Sequence, residues 1–167
     1  DKDNYGEEDF SKSDSSENEN KLKIVSEDII PPQEEFIDNG FASFGFNKSI
    51  LSSLENKGYK SPTPIQKAAI PELMLGRDLL GQAQTGTGKT AAFALPIIEK
   101  LENNKESNAK VLVMTPTREL ATQVADSFKS YSAESTNLRT LAIYGGTDFR
   151  TQISSLKRKT DIVVGTP

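Results

Sequence analysis

The sequence predicts an α/β fold with a doubly wound parallel sheet. From residue 47 onward, strand-like and helix-like patterns alternate with short connections, and this order requires parallel pairing through right-handed crossovers. The segment 110–114 is nearly continuously apolar, which is typical of a strand that has helices on both faces. In such sheets ligands bind beyond the carboxyl ends of the strands, so we expect a site at one edge where four loops converge. These are the turn after Ala83 and the loops after Met114, Tyr144 and Val164.

Local signals place the individual elements. Asn47 is a suitable N-cap for a short helix that ends before Gly58, and Thr63 followed by Pro64 begins a second helix that ends near Gly76. Further helices are predicted over 89–101, 117–131 and 147–156, and strands over 78–83, 110–114, 138–144 and 161–164.

Charge divides the chain into two regions near Gly40. Residues 1–40 carry a net charge of −9, whereas residues 41–167 carry +5. The Ser-, Asn- and Glu-rich stretch 11–20 has too little apolar surface to offset its ordering entropy. We therefore predict a disordered acidic tail over 1–40 and a folded domain over 41–167, and we expect removal of residues 1–38 to leave thermal stability nearly unchanged. The positive domain suits a polyanion, although such a charge is also common in proteins that bind none.

Composition excludes several kinds of chemistry. The chain has no cysteine and no histidine, which rules out disulfides, Cys/His zinc sites and any Ser-His or Cys-His catalytic pair. The longest apolar run, 91–98, is too short to span a membrane, and no signal peptide is visible, so we expect a cytoplasmic location. The first residue is Asp1 and the last is Pro167, and we expect a chain that is clipped at both ends.

A glycine-rich turn between a predicted strand and a predicted helix is the strongest local signal. Its glycines allow successive backbone N–H groups to face a phosphate, Lys89 reaches the β- and γ-phosphates, and the Thr90 hydroxyl is placed to ligate Mg²⁺. A nucleotide with Mg²⁺ is therefore expected here, which the resemblance described next implies to be ATP, and Lys89 and Thr90 are the candidate catalytic residues. The alternative is a chance loop, since Ala83 stands where the first glycine is usual. The loop consists of Ala83, Gln84, Thr85, Gly86, Thr87, Gly88, Lys89 and Thr90.

Five segments together resemble the DEAD-box ATP-dependent RNA helicases. The segment 83–90 resembles motif I. The segment 58–66, together with Phe41 upstream, resembles the Q motif, which therefore spans 41–66 in this chain. The segment 116–121 resembles motif Ia, Gly145 and Gly146 resemble the paired-glycine motif, and 165–167 resembles the start of motif Ib. The resemblance covers residue 41 to the end, and it implies part of a RecA-like P-loop domain that is incomplete at its carboxyl end. Within the family, the segments 79–84, 144–146 and 162–165 are most similar to the bacterial cold-shock and ribosome-assembly subgroup.

The resemblance implies two sets of binding residues. For the nucleotide, Phe41 would stack on adenine, Gln66 would read the adenine edge, and the backbone near Lys60 would add a contact. For RNA, the implied contacts are to the sugar-phosphate backbone and do not depend on sequence. Phe41 as plain core, Arg118 as a solvated helix residue and the glycine pair as a tight turn are the structural alternatives. The RNA-binding candidates are Pro116, Thr117, Arg118, Gly145, Gly146, Gln152 and Thr166.

The same resemblance limits what these residues can do alone. The 167 residues contain no Asp-Glu-Ala-Asp motif and no motif III, and the family also has a second RecA-like domain. We therefore expect that the intact protein couples ATP hydrolysis to the unwinding or remodelling of RNA, and that this fragment is inactive. The alternatives are a P-loop ATPase without an RNA function and a truncated, non-catalytic RNA-binding paralogue.

Gln66 has two competing interpretations. It lies three residues after Thr63, so it fits a capping box in which its side chain only accepts a hydrogen bond from the Thr63 backbone. Adenine recognition requires the amide both to accept and to donate. We expect Gln66→Glu to preserve stability in either case, and to abolish a preference for ATP over GTP only if Gln66 reads adenine.

Overall fold

A computed structural model of the chain describes residues 23–26, 40–103, 111–134 and 138–167. Within these residues the strands form two parallel sheets. β1 pairs with β2, while β5 lies between β3 and β4. The strands are β1 (Lys23–Ser26), β2 (Leu79–Gln82), β3 (Val111–Met114), β4 (Thr140–Ile143) and β5 (Ile162–Gly165).

The helices begin where the sequence predicts, and their caps explain why. The Asn47 side chain accepts a hydrogen bond from the Ile50 N–H at 3.0 Å, and the Thr117 hydroxyl accepts one from the Leu120 N–H at 3.2 Å. All predicted strands and helices are present in the predicted order, so the α/β class is confirmed. A 3₁₀ turn over Gly40–Phe44 was not predicted. The helices are α1 (Lys48–Asn56), α2 (Pro64–Met74), α3 (Lys89–Glu102), α4 (Arg118–Tyr131) and α5 (Phe149–Leu156).

The strand register brings three loops to one edge of the larger sheet. Gly165 pairs with Met114 on one side and with Ile143 on the other, so β3, β4 and β5 end at the same level. Past the strand ends, the Thr115 N–H donates to the Gly165 carbonyl at 2.8 Å, and the Thr166 N–H donates to the Ile143 carbonyl at 3.2 Å. These bonds hold the loops that follow the three strands close together, as the sequence predicts. The sequence also predicts the glycine-rich turn at this edge, but within the described residues β2 pairs with β1 in a separate sheet.

The core is built mainly from α3, α4 and β5. Leu95 and Ile98 of α3, Phe128 of α4 and Ile162 of β5 are all completely buried, and Ile50 of α1 joins them. The apolar faces of α1, α3 and α4 therefore lie inward, which fixes α3 and the loop that precedes it. Among the described residues, no helix is both long and apolar enough to cross a lipid bilayer.

An aromatic cluster closes the corner between the 3₁₀ turn and α4. The Phe41 ring lies edge-on to the rings of Phe44 and Tyr59, with centroids 6.3 and 6.0 Å away. The Tyr59 and Tyr131 hydroxyl groups are 3.0 Å apart, and Lys57 lies over the Tyr131 ring. Burial, and then the hydrogen bond to Tyr59, raise the pKa of the Tyr131 phenol above its ordinary value. The cluster joins the Q-motif segment to the end of α4.

Residues 23–26 depart from the prediction that the whole of 1–40 is disordered. They form β1, which pairs in parallel with β2 from Lys23 opposite Leu79 to Ser26 opposite Gln82. The average composition of the tail hides this short segment, in which Ile24 and Val25 are β-branched and favour a strand. The disorder predicted for the rest of 1–39 lies outside the described residues.

The pairing of β1 changes the expected effect of removing the tail. Deletion of residues 1–38 removes β1 and leaves β2 without its partner, so we expect the melting temperature to fall by about 4 °C or more, roughly 1 kcal/mol for a domain of this size. Deletion of residues 1–22 keeps β1 and is the matched control, for which we expect almost no change. Thermal unfolding followed by circular dichroism measures both. Equal melting temperatures for the two deletions would show that β1 does not stabilise the domain.

One face of β3 is exposed. Leu112 and Met114 are 67% and 55% accessible to solvent, and Leu80 of β2 is 53% accessible. The sequence predicts helices on both faces of the strands, but within the described residues α4 packs against β4 and β5 and this side of β3 stays open. The apolar character of 110–114 therefore predicts its strand structure correctly and its burial only in part.

Candidate functional site

The glycine-rich turn connects β2 directly to α3. Gly86 and Gly88 have φ angles of +82° and +90°, in the left-handed region that glycine adopts without a steric penalty. Gly88 is the N-cap of α3, so the first N–H groups of that helix face the loop. The Thr87 hydroxyl donates to the Gln84 carbonyl at 2.8 Å and braces the turn. The strand, turn and helix thus have the geometry that a phosphate-binding loop requires.

Lys89 is directed into this loop. Its ammonium group donates hydrogen bonds to the Ala83 carbonyl and, at 2.5 Å, to the Gln84 carbonyl. Both acceptors are neutral backbone oxygens, whereas a phosphate oxygen is charged and forms a stronger bond with an ammonium group. Thr90 follows in the first turn of α3. The residues present therefore fit a nucleotide phosphate with an accompanying Mg²⁺, for which Lys89 would supply the cation and Thr90 the hydroxyl ligand.

Gln66 connects α2 to the same loop. Its side chain is 1% exposed, and its Oε1 atom accepts a hydrogen bond from the Thr63 N–H at 2.9 Å, as the capping box requires. Its Nε2 atom donates to the Gly88 carbonyl at 3.1 Å, and that carbonyl also accepts from the Ala92 N–H. The sequence interpretation of a cap that only accepts is therefore incomplete, because both ends of the amide are used.

The remaining two nucleotide candidates lie beside one another. A Cβ atom added to Gly40 would come within 3.4 Å of the Lys60 carbonyl, which brings the start of the 3₁₀ turn against the Lys60 backbone. The Lys60 side chain is exposed, but Phe41 is only 5% exposed within the aromatic cluster. The aromatic surroundings of Phe41 are those of a core residue, which is the structural alternative to adenine stacking. The stacking role of Phe41 remains a prediction.

Arg118 and the glycine pair form a second candidate site. Gly146 has a φ of +87°, and a Cβ atom added there would lie 2.6 Å from Arg118 Nη1. A Cβ atom added to Gly145 would lie 3.9 Å from Arg118 Nη2. The guanidinium group at the start of α4 thus lies directly against the turn after β4, which brings together two motifs that are 27 residues apart. The tight-turn interpretation also holds, since Gly146 has the backbone conformation that favours glycine.

The other RNA candidates surround this pair. Thr117 is the N-cap of α4, directly after Pro116, and Thr166 is held by its backbone beside Ile143. Gln152 lies on α5 and its side chain contacts the backbone of Tyr144. Sequence reasoning did not identify the link between Gln66 and Gly88, because no local pattern relates residues 22 positions apart. It also missed the carbonyl partners of Lys89, because a motif of residue types does not specify which backbone atoms a side chain contacts.

Comparisons with known proteins show which family the chain resembles. The sequence profile of the DEAD/DEAH box helicase family matches residues 63–167. The chain is 48% identical over 127 residues to the ATP-dependent RNA helicase DeaD of Buchnera aphidicola, covering 76% of this chain and 21% of that protein. It is 49% identical over 127 residues to the ATP-dependent RNA helicase CshA of Listeria monocytogenes, covering 76% and 24%.

Similarity extends to a fungal protein and to a solved structure. The ATP-dependent RNA helicase DBP10 of Candida albicans is 46% identical over 127 residues, covering 76% of this chain and 14% of that protein. A crystal structure of a DEAD box protein from Methanococcus jannaschii superimposes with a TM-score of 0.70 at 43% identity, covering 77% of this chain and 34% of that one. Bacterial and yeast relatives match at similar identity, so these values do not single out the bacterial subgroup. With the profile covering most of its length, the chain belongs to the DEAD/DEAH box helicase family.

Proposed function

We propose that this chain is the ATP-binding part of an ATP-dependent RNA helicase, within the first RecA-like domain. One observation carries the proposal: a phosphate-loop geometry and an arginine held against a glycine pair occur in the same domain, each directly after a parallel strand. The chain spans about a quarter or less of the length of the curated relatives named above. The unwinding or remodelling of RNA is therefore proposed for a longer protein that also carries a second RecA-like domain.

The nucleotide half of the proposal rests on Lys89. ATP binding exchanges its two carbonyl acceptors for charged phosphate oxygens, while the backbone of 83–88 and the start of α3 supply N–H donors. When bound, Mg²⁺ would neutralise the phosphate charge, and the Thr90 hydroxyl would ligate it. Gln66 holds the Gly88 carbonyl, so it fixes the point at which the loop becomes a helix. Phe41 and the Lys60 backbone complete the proposed adenine end.

The RNA half rests on Arg118 and the loops beside it. The guanidinium group supplies a permanent positive charge, and the absence of a Cβ atom at Gly146 allows that group to lie directly against the turn. Thr166 directly follows β5, and Thr117 ends the loop after the neighbouring strand β3, beside Pro116. Contacts of this kind hold the RNA backbone and do not read its sequence.

Two substitutions test the halves separately. We expect Lys89→Ala to weaken binding of a fluorescent ATP analogue by about 10-fold to 100-fold, the value of a hydrogen bond to a charged group, and to leave polyuridylate binding unchanged.

Arg118→Ala should weaken polyuridylate binding, lower its salt dependence by about one phosphate contact, and leave ATP binding unchanged. We also expect no RNA-stimulated ATP hydrolysis above the Lys89→Ala background. ATP binding without any polyuridylate binding would favour a P-loop ATPase, and RNA binding without ATP binding would favour a non-catalytic paralogue.

A further inference from the structure

The side chain of Gln152 is bound to the turn that carries the glycine pair. Its Oε1 atom accepts a hydrogen bond from the Tyr144 N–H at 3.1 Å, and its Nε2 atom donates to the Tyr144 carbonyl at 3.2 Å. Nε2 also donates to the Thr147 hydroxyl at 2.7 Å. The amide thus holds both ends of the turn that runs from Tyr144 through Gly145 and Gly146 to Thr147.

These bonds use both donors of the amide. A side-chain amide has two N–H donors and one carbonyl oxygen. The Tyr144 carbonyl and the Thr147 hydroxyl take both donors, and the Tyr144 N–H uses the oxygen. A phosphodiester offers only acceptor atoms, so Gln152 can bind one only after it gives up a bond to the turn.

The helix that carries Gln152 has few other means of holding the turn. α5 has no buried residue, and its Phe149 is largely exposed. The Asp148 carboxylate caps the helix by accepting from the Arg150 and Thr151 N–H groups, and bonds of this kind, above all that with the Thr151 hydroxyl, lower the pKa of Asp148. The cap orders α5 itself, whereas the Gln152 amide connects α5 to the end of β4.

Arg118 lies against the 144–147 turn in the conformation that Gln152 holds. Gly146 has positive φ, and the space where its Cβ would stand is occupied by the Arg118 guanidinium group. A shift in the Tyr144–Thr147 backbone therefore moves the surface that supports the guanidinium group.

We propose that Gln152 is a positioning residue, which holds the 144–147 turn in place beneath Arg118 and does not itself contact RNA. The proposal rests on the proposed RNA-binding role of Arg118. It replaces the direct RNA contact that the sequence predicts for Gln152 with an indirect effect through the turn.

A double-mutant cycle on the 167-residue chain tests this proposal. Binding of labelled polyuridylate is measured at several salt concentrations for the unmutated chain, Gln152→Leu, Arg118→Ala and the double variant. Ser154→Ala is the matched control, because it removes a hydroxyl of α5 that, among the described residues, bonds within the helix to the Thr151 carbonyl. Hydrogen exchange of the Tyr144 N–H gives a readout that needs no RNA.

We expect Gln152→Leu to weaken RNA binding by about fivefold in the unmutated background and by less than twofold when Arg118 is already alanine, since residues that act as one unit are not additive. The salt dependence of RNA binding should also fall in Gln152→Leu. Because neither glutamine nor leucine carries a charge, this change must arise from a weaker contact between Arg118 and the RNA phosphates. The Tyr144 N–H should exchange faster in Gln152→Leu and not in Ser154→Ala.

Equal losses in the two backgrounds with unchanged salt dependence would overturn the proposal and establish a direct RNA contact. Unchanged exchange at Tyr144 would overturn it independently of RNA. If Arg118→Ala leaves RNA affinity unchanged, the proposed RNA function fails and the claim that Gln152 acts through Arg118 fails with it, whereas faster exchange at Tyr144 would still identify Gln152 as the support of the turn.

Discussion

Gly88→Ala should destabilise the chain by about 2–5 kcal/mol, whereas Gly86→Ala should cost only about 1–2 kcal/mol. Both glycines have positive φ, and alanine in that conformation costs about 1–2 kcal/mol. At Gly88 the new Cβ atom would also lie 2.4 Å from Gln66 Nε2, while at Gly86 it meets nothing within 4 Å. Displacement of the buried amide leaves its groups unsatisfied, which adds about 1–3 kcal/mol.

Urea unfolding of the two variants measures this difference, because their backbone strain is similar and only one variant has the clash. ATP binding should fall further in Gly88→Ala, since the displaced Gln66 no longer holds the carbonyl at the start of α3. Equal losses of stability in the two variants would show that the contact between Gln66 and Gly88 contributes little beyond the strain of the turn.

Local signals predict the elements well, because each depends on neighbouring residues. The cap at Asn47, the Thr63 and Pro64 start of α2 and the strand-turn-helix context of Lys89 are all encoded within a few positions, and the structure contains each of them. The convergence of three loops at one sheet edge also follows, since it needs only parallel strands in the predicted order.

The contacts that shape the site depend on residues far apart in the sequence. Gln66 and Gly88 are 22 positions apart, and no periodicity relates them. β1 is separated from β2 by more than 50 residues, and a short apolar segment in an acidic tail gives no sign of which strand edge it joins. The packing of Arg118 against Gly146 likewise requires the strand register that tertiary structure sets.

Gln66→Glu should destabilise the chain by about 3–5 kcal/mol, contrary to the neutral effect that the sequence alone suggests. One carboxylate oxygen can still accept from the Thr63 N–H, but the other would face the Gly88 carbonyl, where Gln66 now donates. Two acceptors would then meet at a position that is 1% exposed, and a buried charge without a partner carries a penalty of this size. Urea unfolding measures the loss.

Because stability changes, adenine reading must be judged from the ratio of ATP to GTP affinity rather than from ATP affinity alone. Gln66→Leu is the matched variant, since it too removes the donor to the Gly88 carbonyl, together with the acceptor for the Thr63 N–H, and adds no charge. If Gln66 only supports the loop, both variants should weaken ATP and GTP equally and preserve their ratio. If it reads adenine, ATP affinity should fall toward that of GTP in both variants, by about 1–3 kcal/mol if base readout in nucleic acids is a guide. We expect the second result. Equal ATP and GTP affinities in the unmutated chain, or an unchanged ratio in Gln66→Leu, would refute adenine recognition by Gln66 and leave it only the structural role of linking α2 to the phosphate loop.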